Sequence, residues 1–431
     1  MSTLLHFLAQ FSDNAQPRIH SYASHVHSTL TFKAVAKQAQ AYRAHHSELG
    51  GARVAVTMTA SSEVLAQLVA LDGYADELVL LPVDYAVPSN CHYHINERGQ
   101  LRKLHTPASG ALPVATQWSL LGENHKLVSF TLNELAANEL VQRGRREAPL
   151  RWGVMQEPAE LAGLLVWIRA LKHGEDIVLA QADNLKALAQ MFTHAGVTAI
   201  AAPPRLWRNF IASADVARLP LQLAILNGAV IDEPTVQRLR NIFEGVQVAH
   251  AFSYTQVGVS WLVTDEQLGL PAAFFEAGAD VGAGGSAGVG AEAGADVSAN
   301  IDKKAALTIN QGCLAIKCLR TGIEIPTNYL VEQRNDGRVY FTGQLDTVVT
   351  VGGREVSPEQ VEAALLAVPG VLDVQAGSMP DPVLGELIRV DLLAPGHRTV
   401  AARKRFKEEL QEYCREQLEP WQRPARYYFH G

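Results

Sequence analysis

Short apolar runs of strand length recur along the first two-thirds of the chain, each followed by an amphipathic stretch of helical period. This alternation constrains the fold more than any other feature. Residues 53–58 (RVAVTM) read as a buried strand, and 61–71 follow as a helix with Val64, Leu65, Leu68 and Leu71 on one face. Residues 78–82 (LVLLP) read as the next strand. The pattern returns as strand 177–180, helix 184–195, strand 197–202, strand 221–226 and helix 233–243. Strands separated by helices of this length predict parallel β-α-β crossovers and a layered α/β domain.

The alternation stops at residues 276–300, EAGADVGAGGSAGVGAEAGADVSAN. A stretch of Gly and Ala with no aromatic has too little apolar surface to offset its ordering entropy, and a flexible insertion is expected. Residues 284–288 (GGSAG) fit GxSxG, and Gly282 with Gly284 begins a GxGxx pattern. Neither has the flanking strand and helix its chemistry requires, so both are read as chance.

Beyond the insertion the rhythm changes. Residues 337–341 and 347–351 are expected to pair as a hairpin, and Ser357 to cap a helix over 358–367 with Pro358 at its first position. Strands 371–376 and 387–393 and a long helix over 400–418 complete a small α+β domain of about 90 residues. The chain of 431 residues is thus expected to divide into a large domain over 1–342 and a small one over 343–431.

Charge and cysteine content narrow the function classes. A formal charge of −7, from 37 basic and 44 acidic residues, argues against a general nucleic-acid or anionic-membrane binder. No apolar run reaches the length of a membrane span, and the N-terminus lacks the basic region of a signal peptide. Four scattered cysteines fit a reducing cytosol, so a cytoplasmic location is expected. Cys91, His92 and His94 offer metal-ligand types, but neighbouring strand positions face opposite ways and no second pair lies nearby; a polar hairpin is the expectation, with no metal.

Residues 336–365, DGRVYFTGQLDTVVTVGGREVSPEQVEAAL, resemble the segment that opens the small C-terminal domain of adenylate-forming enzymes. The register includes Gly343, Asp346, Val349, Gly353, Val356, Pro358 and Glu362. Residues 221–258 resemble the strand, helix and strand that end in the family's YGxTE-type motif. Residues 151–171 resemble the helix after its phosphate loop, and the segment HSTLTFKAVAKQAQAY resembles its first helix. The chain is thus identified as a degenerate member of the adenylate-forming superfamily of AMP-dependent acyl- and aryl-acid ligases.

That resemblance implies a nucleotide site at Lys126, Asn227, Gly228, Phe252, Ser253, Thr255 and Gln256, a hinge at Gln344 and Asp346, and a pantetheine-tunnel element at Gly352 and Gly353. Adenylation needs backbone donors for phosphates, a Mg²⁺ ligand, a ribose clamp and a lysine. Measured against the family, residues 118–126 (WSLLGENHK) keep Lys126 but not the Thr/Gly run, and Glu123 adds negative charge. Gln256 stands where a metal-binding Glu is expected, and Tyr329 or Ile323 where a ribose-binding Asp is expected. Gln344 replaces the hinge arginine, and the sequence reaches PWQRPARYYFHG without the stretch carrying the family's terminal lysine.

No catalytic residue is therefore assigned. The implied function is a binding or partner subunit for an acyl or aryl acid, an acyl carrier protein or an active ligase relative. The alternative is an active ligase with a rearranged site, using ATP, Mg²⁺ and CoA or phosphopantetheine. Gly352 and Gly353 are equally what a tight hairpin needs for its backbone. Arg403, Lys404, Arg405 and Lys407 form either a solvated helix face balanced by Glu408 and Glu409 or a surface for an acidic carrier protein.

Overall fold

The computed structural model describes residues 2–11, 16, 18–23, 26–106, 112–138, 148–213, 216–228, 230–275, 305–319 and 321–430. Residues 276–300, with the GxSxG match at 284–288, lie outside them. The fold is mixed α/β, and the described residues form two compact units. The first comprises residues 1–203, 214–227 and 242–262; the second comprises 204–213, 228–241 and 263–431.

Two sheets build the first unit. Across the larger, the strands run Val259–Val263, Gln247–Tyr254, Leu223–Asn227, Ala199–Ala202, Arg151–Val154, Asp176–Gln181, Ile19–Ala23 and Val26–Leu30. The pairs from Gln247–Tyr254 to Ile19–Ala23 are parallel, as the helical crossovers require, and Val26–Leu30 closes one edge antiparallel. Across the second sheet run Leu101–Lys103, Tyr93–Ile95, Arg53–Thr57, Glu77–Leu81, Gln117–Leu121 and Leu127–Thr131. Its inner pairs are parallel and its two outer pairs antiparallel.

One apolar core joins residues of both sheets, including Val54, Leu78, Trp152 and Ile177. The helix Leu161–His173 runs through it and is buried on every face from Leu161 to Leu171, as expected of LAGLLVWIRAL, where Arg169 is the one charge. That charge is paired: Arg169 Nε lies 3.0 Å from Glu175 Oε2, which also accepts from Trp152 Nε1 at 2.7 Å. Gly163 lets the helix approach the preceding loop. A Cβ there would lie 2.1 Å from the Glu157 carbonyl oxygen.

The second unit holds an antiparallel sheet of Ala305–Asn310, Cys313–Cys318, Glu324–Gln333 and Val339–Gln344. A second sheet orders Arg354–Val356, Val349–Val351, Gly385–Leu393 and Asp373–Asp381, with Arg426–His430 parallel to Gly385–Leu393. The helices Pro358–Leu366 and Val400–Gln417 bury Val361, Leu365, Phe406, Leu410 and Cys414 in its core.

Two local expectations are corrected. Residues 337–341 and 347–351 do not pair. Val339–Gln344 pairs with Glu324–Gln333, and Val349–Val351 turns back on Arg354–Val356. The reason is the double glycine: Gly352 at φ +57° and Gly353 at φ +81° supply the two positive-φ residues of a two-residue hairpin turn. Ser357 precedes the Pro358 helix but does not cap it with its hydroxyl. Its Oγ donates instead to Thr342 O at 2.8 Å and bonds Glu359 Oε2 at 2.7 Å.

Candidate functional site

Two features of the first unit lie at strand ends, a polar turn and a cleft. The turn joins Gln117–Leu121 to Leu127–Thr131, an antiparallel pair. Gly122 N donates to Lys126 O at 2.8 Å and His125 N to Gly122 O at 2.9 Å, with His125 at φ +58°. Lys126 is exposed, its own N–H held by Asn124 Oδ1 at 3.0 Å.

Glu123 reaches from this turn to the end of the strand Gln247–Tyr254. Its Oε1 accepts the Thr255 N–H at 2.7 Å. Burial, reinforced by the Glu123 charge, pushes the Tyr254 hydroxyl up to about 12. Phe252 is buried and stacked on Trp261 with ring centroids 5.7 Å apart. Ser253 Oγ and Ser260 Oγ share a hydrogen bond of 2.8 Å. One strand over, Asn227 stands in register with Ala251, and Gly228 follows at φ +121°. Within the first unit the turn that carries Lys126 thus meets Thr255 and Gln256 at the end of the strand that carries Phe252 and Ser253, Asn227 ends the neighbouring strand, and Gly228 falls in the second unit.

Gln344, Asp346, Gly352 and Gly353 belong to the second unit. Gln344 ends its strand and its carbonyl accepts from Thr347 Oγ1 at 2.9 Å. Asp346, Gly352 and Gly353 are exposed. Tyr329 and Thr327 lie in the same unit, in the strand Glu324–Gln333, and Tyr329 packs edge-on against Phe341.

The cleft was not anticipated from sequence. It encloses about 410 Å³ where Arg53–Thr57, Glu77–Leu81, Arg151–Val154 and Asp176–Gln181 end, the customary ligand position of a parallel sheet. Met58, Val83, Met155, Leu185 and Leu188 give it an apolar wall, and Gln156 and Glu157 a polar end. Glu157 is its one charged lining residue among the described residues, with its carboxyl raised above the usual range by burial, against the Ala159 N–H, and further by Glu160. Gln156 also donates to Glu160 and accepts from Asn227. The signal in sequence was the run MQEP, where two polar residues end a buried strand beside a proline.

His92 Nδ1 accepts the Arg53 N–H at 2.9 Å, and His94 Nε2 bonds Thr57 Oγ1 at 2.8 Å. Both rings are committed to the Tyr93–Ile95 strand's own sheet. Among the described residues no group of three or more His, Cys, Asp or Glu side chains is placed to hold a metal ion, and no helix is long and apolar enough to cross a membrane.

Residues 360–430 match the family model of the AMP-binding enzyme C-terminal domain. The mitochondrial acyl-coenzyme A synthetase ACSM4 of Rattus norvegicus is 28% identical over 95 residues, 22% of this chain and 16% of that protein. The fatty acid–[acyl-carrier-protein] ligase MmaC of Mycobacterium marinum is 27% identical over 101 residues, 23% of this chain and 19% of that protein. These alignments span less than a fifth of either relative's length. The fold extends the likeness across the chain. The o-succinylbenzoate CoA synthetase MenE of Bacillus subtilis superposes with a TM-score of 0.65 at 16% identity, covering 98% of this chain and 94% of MenE. The fold of the chain is therefore that of these ligases, and its C-terminal segment matches the AMP-binding enzyme C-terminal domain. A further solved structure, the anthranilate CoA ligase AuaEII, superposes with a TM-score of 0.70 at 13% identity, covering 100% of this chain and 93% of that one.

Proposed function

We propose that this adenylate-forming protein binds an acyl or aryl carboxylic acid but does not carry out conventional ATP-dependent adenylation. It would serve as a binding or partner subunit for that acid, for an acyl carrier protein or for an active ligase relative. One contact carries the reading: the Glu123 carboxylate accepts the Thr255 N–H at 2.7 Å. A protein carboxylate held against the YGxTE-like segment meets an incoming phosphate with like charge. At 4 Å two unit charges repel by about 1 kcal/mol in water and several times that where water is partly excluded.

The surrounding chemistry supports the same conclusion. The turn over residues 122–126 closes on its own backbone hydrogen bonds, which leaves little room for a cradle of free N–H groups. Gln256 offers a neutral oxygen where a hard cation favours carboxylate. The apolar cleft, by contrast, is within the usual size range of small-molecule sites. Relatives named for coenzyme A and for an acyl carrier protein support one of these as the partner for the acid this chain holds.

Calorimetry with ATP–Mg²⁺, alongside pyrophosphate release with a panel of acyl and aryl acids, tests the reading. The expected result is acid binding without micromolar ATP binding and without acid-dependent pyrophosphate. Tight ATP binding coupled to pyrophosphate release would sink it.

A further inference from the structure

Three histidines meet at the edge of the larger sheet. Among the described residues the edge strand Val26–Leu30 pairs only with Ile19–Ala23, and its residues 27–29 are exposed. His27 stands opposite Tyr22 in register, with ring centroids 4.2 Å apart and planes 13° from parallel. His20, two residues before Tyr22 and so on the same face, lies parallel to His27 at 6.3 Å. His194, in the last turn of the helix Leu185–Ala195, meets Tyr22 and His27 edge-on at 6.2 and 6.4 Å.

The charges around these rings are unbalanced. Arg18, just before the inner strand, donates to Asp176 Oδ1 at 2.9 Å. Arg151, one strand further in, donates to Asp176 Oδ2 at 2.9 and 2.8 Å. His20 Nε2 lies 3.5 Å from that same oxygen. Among the described residues Asp176 is the one acid that bonds any group of this cluster. With neutral imidazoles its single negative charge already faces two guanidiniums. Each ring that takes up a proton adds a positive charge beside the others, with no further carboxylate to meet it.

We propose that this cluster is a proton-sensitive latch: neutral imidazoles stack and hold Val26–Leu30 on the sheet, and protonated ones drive that edge strand off Ile19–Ala23. Burial, and after it the His20 and His194 rings, hold the His27 imidazole below its ordinary value of 6.5. The folded chain therefore binds this proton less readily than an unfolded one. The latch is fully closed above about pH 6.5 and is lost as pH falls through the lowered value. Tyr22 stays neutral throughout, because burial pushes its hydroxyl up against the pull of Arg151. Release stops at Leu30, whose carbonyl accepts the Arg18 N–H at 3.0 Å and which leads into the buried Phe32 and Val35. Opening uncovers the backbone edge of Ile19–Ala23, a template for another strand.

The test is hydrogen exchange of the full chain at about pH 7.5 and about pH 5, corrected for intrinsic rates and read at the edge-strand amides that bond Ile19–Ala23. Their protection is expected to fall about threefold to tenfold at the lower pH, while that of the central strand Leu223–Asn227 holds. His27→Phe keeps a ring on Tyr22 and cannot ionise, so its edge protection is expected to change by less than about twofold. Equal protection of the parent at both pH values overturns the inference. So does a loss shared by the central strand, or a His27→Phe chain that loses protection as the parent does. If His27→Phe leaves the edge unprotected even at about pH 7.5, the His27 midpoint decides, read by NMR in the parent and in His194→Gln. A higher midpoint in His194→Gln upholds the inference, and an unchanged one overturns it.

Discussion

Single residues decide how the first unit presents its strand ends. Gly163 is the clearest case, because a Cβ there would sit 2.1 Å from the Glu157 carbonyl oxygen. Helix propensity alone says Gly→Ala within a helix should stabilise by up to about 1 kcal/mol. The close approach says the reverse, and backbone cannot yield as a side chain tip can. Gly163→Ala is expected to destabilise by about 1–3 kcal/mol in urea denaturation, as overpacking does, and to weaken ligand binding in the cleft that Glu157 and Pro158 wall. A stabilised variant would remove the argument. Glu123 acts locally in another way. With Glu123→Ala the Thr255 N–H loses its acceptor and the turn loses its charge. Affinity for ATP–Mg²⁺, read by calorimetry, is expected to rise about threefold to tenfold from a weak baseline, since a charge-assisted hydrogen bond and its repulsion are both removed. Unchanged affinity would show that the carboxylate does not oppose phosphate.

At the scale of elements, the second unit is tied by buried charge. Arg208, on the helix Pro204–Ser213, donates from Nη1 to Asp232 Oδ2 at 2.8 Å and from Nε to Asp373 Oδ1 at 2.6 Å. Arg238, on the helix Glu233–Ile242, donates to the carbonyls of Leu366, Val371 and Leu372. These contacts place two helices from the middle of the chain with segments 128 to 165 residues later. Arg208→Ala strands two buried carboxylates and is expected to cost about 3–5 kcal/mol at neutral pH in urea denaturation. The loss should shrink in an Asp232→Asn, Asp373→Asn background; an unchanged loss there would point to packing alone. Sequence periodicity predicted the helix Glu233–Ile242 within a residue, because apolar spacing is local, and did not anticipate the helix Pro204–Ser213. It could not predict their partners, since an arginine on a helix face reads the same whether it meets solvent or a distant aspartate. The same limit hid the cleft and the Asn227–Gln156–Glu160 relay. Their residues come from separate loops, strands and a helix, and Asn227 stood out only through family resemblance. The hairpin error had a different origin: both candidate partner strands alternated properly, and only the paired positive-φ glycines chose between them.

The stability of the molecule as a whole should record one buried carboxyl. Glu362, on the helix Pro358–Leu366, accepts the Ala376 N–H at 2.8 Å. Burial pushes its carboxyl up to about 7, opposed by that N–H and by Arg208 and reinforced by Glu359 and Asp373. An unfolded chain returns it to an ordinary value near 4.5. Between those limits the folded state holds a proton that the unfolded state has released. Stability from this group is therefore greatest at the acid end of the window and is lost as pH rises through about 7. Glu362→Gln keeps an oxygen for Ala376 and cannot ionise. It is expected to match the parent near pH 5 and exceed it by about 1–3 kcal/mol at pH 8, when urea denaturation is followed across the window. Arg208 enters the same account with opposite sign, because its charge favours the ionised carboxyl. Removing Arg208 should move the Glu362 midpoint upward and displace the slope to higher pH. Two parallel stability curves for parent and Glu362→Gln would mean that the carboxyl titrates where a solvated glutamate does, and that the small domain opens to water far more readily than its packing implies.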